Sequence, residues 1–367
     1  MLKIKAGVLQ NALKLNAGAI SKNPVSEYFS CVLMQCQANE LLFTTVNQDC
    51  KITSSTKDFS GEVEDFCIDY TTLLQIASKY SADDELQIVI DEGFAKITKG
   101  RSSAKIQLLE VIDFPQGIDI EEVTKVVNFN KQDLLDAINI TKICIYANET
   151  RHNINGLHFN FQAERKKIDV VSTDGHRLSK FEIEDPELNF DAKITIPKKI
   201  TFEIAKILND IKGEAVIKMF ITHNKVKIDF GNGTLITKLI DAEFPDYNRV
   251  IPTDNSILIQ TSKPDISKAI DRVLSIADAL EPRVLVSINE TVMTLKTNNG
   301  SNEKTEEIDC ETTDPFNFLV NAAYLKECVD ALPSSKCVIT ATQSNLPFVI
   351  KDGEDARLLY VIMPMKF

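Results

Sequence analysis

Apolar residues recur along this chain with two periods, and the two follow each other in a fixed order. A short alternating run, Leu2 to Lys5, is followed by Leu9, Ala12 and Leu13 at helical spacing. Residues at i, i+3 and i+4 share one helix face, so the pattern predicts a strand and a helix docked by one apolar stripe. The order returns in VVNFNKQDLLDAI, with Leu134, Ala137 and Ile138 in those slots, and in ILIQTSKPDISKAI, with Ile266, Ala269 and Ile270. A second unit, strand-helix-strand, also recurs: Phe66 to Ile90 around Leu73, Ile76 and Ala77, Lys193 to Ile221 around Ile204 and Ala205, and Phe318 to Thr340 around Leu325, Cys328 and Val329. Each module is then expected to close in a strand stopped by proline, at Phe114-Pro115, Phe244-Pro245 and Met363-Pro364, because proline cannot donate to a ladder.

The repeat spacing of roughly 125 to 130 residues is too long for a solenoid and suits tandem globular domains. Polar joints at GIDIEEVTK and IPTDNS divide the chain into 1–122, 126–251 and 255–367. Between its helices each module alternates in short strands with turns at Asp91 to Gly93, Gly231 to Gly233 and Asn298 to Gly300. The expected class is α+β: three tandem similar domains, each with two helices packed on antiparallel sheet.

Charge changes the picture only when it is located. The 367 residues carry a formal net charge of -12, which on its face disfavours a polyanionic partner. The six predicted helix windows (7–22, 71–80, 131–142, 198–212, 263–276, 321–332) nevertheless hold 13 Lys or Arg against 8 Asp or Glu, a balance of +5 that leaves -17 on the remainder. Exposed helix faces are often rich in lysine, yet helices gathered on one surface would make that surface positive inside an acidic body.

Eight cysteines show no CxxC pair and no Cys/His spacing for zinc, so buried, reduced thiols in a cytoplasmic protein are expected. His152, His158 and His223 have no ligand spacing either, and no cofactor or metal is expected. The basic N-terminus resembles a transit peptide, but the repeat makes it structural. No apolar run approaches the roughly 20 residues that cross a bilayer, so no membrane partner is expected.

The most specific polar stretch is Val170 to Lys180, VVSTDGHRLSK, read as a hairpin turned by Asp174-Gly175. Asp174, His176 and Ser172 or Ser179 invite a catalytic-triad reading. Neighbours in one hairpin rarely converge as nucleophile, base and orienter, and no GxSxG elbow exists, so no catalytic residue is assigned. Gly231-Asn232-Gly233 is a hairpin turn rather than a phosphate loop, since no GKS or GKT follows.

Three domains of this length, TDGHRLS after a strand in the second, EFPDYNRVIP at its end, and YVIMPMKF as the last residues together resemble the bacterial DNA polymerase III beta subunit family of sliding clamps. The resemblance covers the whole chain, though the tail ends Lys366-Phe367 where the family more often ends in arginine and leucine. It implies a non-catalytic processivity factor with the DNA clamp fold: a head-to-tail homodimer closes a ring around double-stranded DNA, helices inside, and tethers a polymerase. It places Lys22, Asn148, Arg151 and Lys198 toward DNA as phosphate contacts without base readout. It also implies a peptide pocket formed by Ile154, Thr173, Gly175, His176, Arg177, Leu178, Pro245, Arg249, Val250, Asn321, Tyr324, Val361, Ile362, Met363, Pro364 and Met365, shared in competition by DNA polymerases, the clamp loader and other proteins with clamp-binding motifs. Ile106, Leu108, Val273 and Leu274 are the apolar candidates for the dimer contact. The rival reading is a multi-domain peptide-binding scaffold that does not encircle DNA.

Overall fold

The computed structural model describes every residue except Lys22, Ala38, Glu121, Glu149 and Phe367. Two compact units emerge, one of Met1–Gln132 with Lys206–Leu239, the other of Asp133–Ala205 with Ile240–Phe367. The middle repeat therefore supplies strands to both.

Six α-helices occur among the described residues: α1 (Ala6–Asn16), α2 (Tyr70–Ala77), α3 (Lys131–Thr141), α4 (Lys198–Asp210), α5 (Lys263–Leu274) and α6 (Ala322–Asp330). They match the six predicted windows, α1 and α2 starting one residue earlier than expected, and each directly follows a strand. The stripe residues Leu9, Leu13, Leu134, Ala137, Ile266, Ala269 and Ile270 have no exposed surface at all. Side-chain caps start several of these helices: Asp69 accepts from Thr72 N at 2.7 Å before α2, and Asn321 accepts from Ala323 N and Tyr324 N before α6.

In the first unit thirteen strands form one sheet. Its order runs from Lys125–Asn130 through Val216–Ile221, Lys225–Asp229 and Gly233–Lys238 to Cys50–Thr56, then Glu40–Val46, Cys31–Gln37, Phe66–Asp69, Ser102–Leu109, Phe94–Lys99, Glu85–Asp91, Leu2–Lys5 and Phe59–Ser60. The last strand of the middle repeat joins the first repeat edge to edge, from Gly233↔Ser54 to Thr237↔Cys50. In the second unit twelve strands run Ala192–Pro197, Gly156–Gln162, Lys167–Thr173, Arg177–Glu184, Leu358–Ile362, Phe348–Asp352, Lys336–Ala341, Ile257–Ser262, Glu303–Thr312, Val292–Asn298, Arg283–Asn289 and Phe316–Asn321. Here the last strand of the third repeat joins the middle repeat in the same way, from Arg177↔Ile362 to Phe181↔Leu358. Every pairing in both sheets is antiparallel, as the alternating pattern with tight turns requires.

Proline stops a strand at only one of the three expected places. Leu358–Ile362 ends at Met363-Pro364, but the strands before Phe114-Pro115 and Phe244-Pro245 end earlier, at Leu109 and Lys238. The intervening chain is irregular, and what anchors it at the second site is burial of the Phe244 ring, 7% exposed, rather than a ladder. None of the eight cysteines forms a disulfide, and seven of them are buried.

Candidate functional site

The hairpin at Val170 to Lys180 is built as its sequence suggests. Its strands pair from Lys167↔Glu184 to Thr173↔Leu178, and Asp174 Oδ1 accepts from the backbone N–H of both His176 and Arg177 at 2.9 Å. Gly175 sits at φ +90, a conformation that glycine adopts at little cost. The serines that suggested a nucleophile are closed off: Ser172 and Ser179 are fully buried, with their hydroxyl oxygens 2.9 Å apart and both within hydrogen-bond reach of the Thr141 carbonyl at the end of α3.

A cleft of about 270 Å³ opens beside this turn, within the second unit. Its apolar floor is one cluster in which Ile154, Val171, Leu178, Phe244, Tyr247, Val349 and Val361 pack together. Under the floor, the His158 ring stacks on Phe244 at 4.4 Å and 9°, with its Nδ1 3.0 Å from the Thr195 hydroxyl. Burial, with help from Lys193, pushes the His158 pKa down to about 4 against the opposing pull of Asp169. Tyr247 donates its hydroxyl to Asp169 Oδ2 at 2.7 Å and accepts from Asn160 at 2.7 Å; burial and then the Asp169 carboxylate raise its pKa. Asp169, 1% exposed, is balanced by Lys180 Nζ at 3.0 Å. The floor is thus apolar above and hydrogen-bonded below, which fixes its shape.

Arg177 forms one wall. It is 7% exposed, and its guanidinium donates from Nε to Asp174 Oδ2 at 3.1 Å and from Nη2 to the Ile143 carbonyl at 2.9 Å and Glu327 Oε2 at 2.7 Å. The Tyr324 ring lies 4.4 Å from the guanidinium carbon. Among the described residues, no N or O atom accepts a hydrogen bond from the buried Nη1.

Of the sixteen pocket residues proposed from the sequence, Ile154, Thr173, Gly175, His176, Arg177, Leu178, Pro245, Val250, Val361 and Met363 line this cleft. The other six do not. Ile362 is fully buried, because alternation along the last strand turns it away from Val361 and Met363 and into the core. Asn321 is engaged in capping α6, and Tyr324 backs Arg177 and stacks on His176 at 6.2 Å without reaching the cleft. Arg249 is an exposed side chain paired with Asp246 at 3.0 Å. Pro364 and Met365 lie along the tail, which is held by Met363 N to the His176 carbonyl at 2.9 Å and Met365 N to the Leu319 carbonyl at 2.7 Å.

The cleft also contains Arg151, Asn153, Phe244, Asp246 and Tyr247, none of which sequence reasoning placed there. Arg151, proposed to face DNA, stands at the cleft and over the Tyr146 ring at 5.6 Å. Asn155 ties its loop together, donating to the Tyr146 and Asn148 carbonyls at 3.0 Å and accepting from Lys198 N at 3.1 Å, so Asn148, Arg151 and Lys198 share one neighbourhood. Lys22 lies outside the described residues. Ile106 and Leu108 are half-buried on Ser102–Leu109 and Leu274 is half-buried at the end of α5, but Val273 has no exposed surface and is corrected from interface candidate to core residue.

Models of the DNA polymerase III beta subunit match the chain three times in tandem: the N-terminal domain over residues 1–118, the central domain over 128–246 and the C-terminal domain over 248–366. The beta sliding clamp of Caulobacter vibrioides is 27% identical over 374 residues, covering 100% of this chain and 99% of the relative, and that of Haemophilus influenzae is 24% identical over 363 residues, covering 98% and 97%. Among solved structures, a sliding clamp (DNA polymerase III subunit beta) from Pseudomonas aeruginosa bound to griselimycin superposes with a TM-score of 0.94 at 20% identity, covering 100% of this chain and 99% of that one. The C. crescentus beta sliding clamp, with polyethylene glycol bound, gives 0.91 at 25% identity, again over 100% and 99%.

Proposed function

The chain belongs to the DNA polymerase III beta subunit family, and on that premise we propose that it is a homodimeric sliding clamp that encircles duplex DNA and tethers polymerases presenting short peptides to the cleft. A tethered polymerase stays at high effective concentration near the primer end without binding DNA tightly itself, which is processivity without catalysis.

One observation carries the dimer. Within the chain, the fourth strand of the first repeat (Cys50–Thr56) pairs with the last strand of the second, and the fourth strand of the second (Arg177–Glu184) pairs with the last of the third. That leaves the fourth strand of the third repeat, Glu303–Thr312, and the last strand of the first, Ser102–Leu109. Among the described residues, Ser102 to Gln107 and Glu303 to Asp309 each have a ladder partner on one side only. They are the two halves of the same junction, so a second copy closes it head to tail. Their charges are complementary: Lys99, Arg101 and Lys105 on or beside one, and Glu303, Glu306, Glu307, Asp309 and Glu311 against the single Lys304 on the other. Ile106, Leu108 and Leu274 are placed at this contact.

The three domains take the limits 1–122, 126–251 and 255–367. Helix lysines line the hole, with Lys198, Asn148 and Arg151 as phosphate contacts, and polymerases compete with the clamp loader for the cleft. Among the described residues no helix is long and apolar enough to cross a membrane, and the proposed setting is the cytoplasm. The test is topological. The clamp loaded on nicked circular DNA is lost when the circle is cut, and equal retention on circular and linear DNA would leave only the scaffold reading.

A further inference from the structure

Arg177 carries a second message. Its turn partner, Asp174, is already occupied: Oδ1 holds two backbone N–H groups and Oδ2 the guanidinium Nε. The other carboxylate on the guanidinium is Glu327, three residues after Tyr324 on α6, and residues at that spacing share a helix face. One face of α6 thus offers an aromatic ring at 4.4 Å and a carboxylate at 2.7 Å to the same side chain. Glu327 lines no part of the cleft, and its side chain is 52% exposed.

We propose that Glu327 is a positioning residue: it holds Arg177 in the cleft wall and thereby sets the affinity for the partner peptide. The inference rests on reading the cleft as a peptide dock. Without Glu327, Arg177 keeps Asp174, one carbonyl and the face of the Tyr324 ring but loses its carboxylate partner on α6, and the guanidinium is freer to turn out to water. Its aliphatic stem then leaves the wall against which an apolar peptide side chain would pack. Because the carboxylate is half exposed, the effect is moderate and screened by salt.

The test uses the full chain and a fluorescein-labelled synthetic peptide ending in Leu-Phe, with polarisation as the readout. E327Q is expected to weaken binding about fivefold, E327D to recover part of the loss, and R177A to cost more than either. The deciding measurement is E327Q in the R177A background. No further loss there supports positioning through Arg177, whereas the same fivefold loss would mean a merely structural role and overturn the proposal. Wild-type affinity in E327Q, with R177A impaired, would overturn it while leaving the peptide dock intact. Wild-type affinity in R177A would overturn both. Thermal melting of each variant confirms that binding is measured on folded protein.

Discussion

The buried His158 makes stability depend on pH in a way that can be calculated. In the folded state its pKa is about 4, against an ordinary value of 6.5 for an imidazole in water. A base whose folded pKa is depressed binds fewer protons folded than unfolded. Its contribution is therefore fully present above pH 6.5 and is lost as pH falls through the interval between the two values. From pH 7 to pH 5 the linkage relation gives a loss of about 2 kcal/mol, rising to about 3 kcal/mol below pH 4.

The perturbation is H158Q, which keeps a group able to bond the Thr195 hydroxyl but cannot titrate. Hydrogen exchange of the Gly156–Gln162 strand, corrected for the intrinsic pH dependence of exchange, reports local stability in the second unit without requiring the chain to unfold in one step. Wild-type protection is expected to fall about 25-fold more than that of H158Q between pH 7 and pH 5. The comparison cancels carboxylate titration common to both proteins. Parallel pH profiles would refute the reasoning and mean that water reaches the ring under Phe244.

Two further outcomes follow from the placement of the tail and of the basic residues. Deleting Met363 to Phe367 removes the backbone bonds to the His176 and Leu319 carbonyls and one cleft wall, so labelled-peptide binding should be abolished while the mass of the dimer is unchanged; loss of the dimer as well would mean the cleft is misassigned. K198E and R151E should both slow loading and make it more salt-sensitive, but only R151E should weaken the peptide, by about five- to tenfold on the scale of one charge contact; equal peptide affinity in the two would remove Arg151 from the cleft.

What the sequence disclosed, and what it hid, divides along a physical line. All six helices were legible because each has an apolar stripe of unambiguous period, and the hairpin at Asp174 was legible because turn chemistry is local. Most of the cleft came from motif resemblance rather than from pattern. Phe244, Asp246 and Tyr247 were missed although Pro245 between them was named, since they sit in irregular chain and at the start of one short 3₁₀ turn, where no period says which side chains point inward. Ile362 was misplaced for the opposite reason. In a strand every second residue faces the core, and a run of tail residues named together cannot all face one pocket. Arg151 is a third case: resemblance directed it toward DNA, and only the folded loop shows that it also stands at the cleft.

The two junctions inside the chain explain why the cleft lies where it does. At the first, Asn47 Oδ1 accepts from the N–H of Asp49 and Cys50 at 2.8 Å, the same turn that Asp174 makes with His176 and Arg177 at the second. Cys50 opens its strand opposite Thr237 as Arg177 opens its own opposite Ile362. Backbone, turn and edge pairing are therefore shared, and Phe114-Pro115 repeats Phe244-Pro245. The side chains differ. Cys50 is a small, fully buried thiol, and the next residue, Lys51, is tied to Asp119 at 3.0 Å. Only the second junction places an arginine where α6 can supply Tyr324 and Glu327 to hold it. The repeated scaffold provides the site twice, and its chemistry is written into one copy through residues that belong to two different repeats.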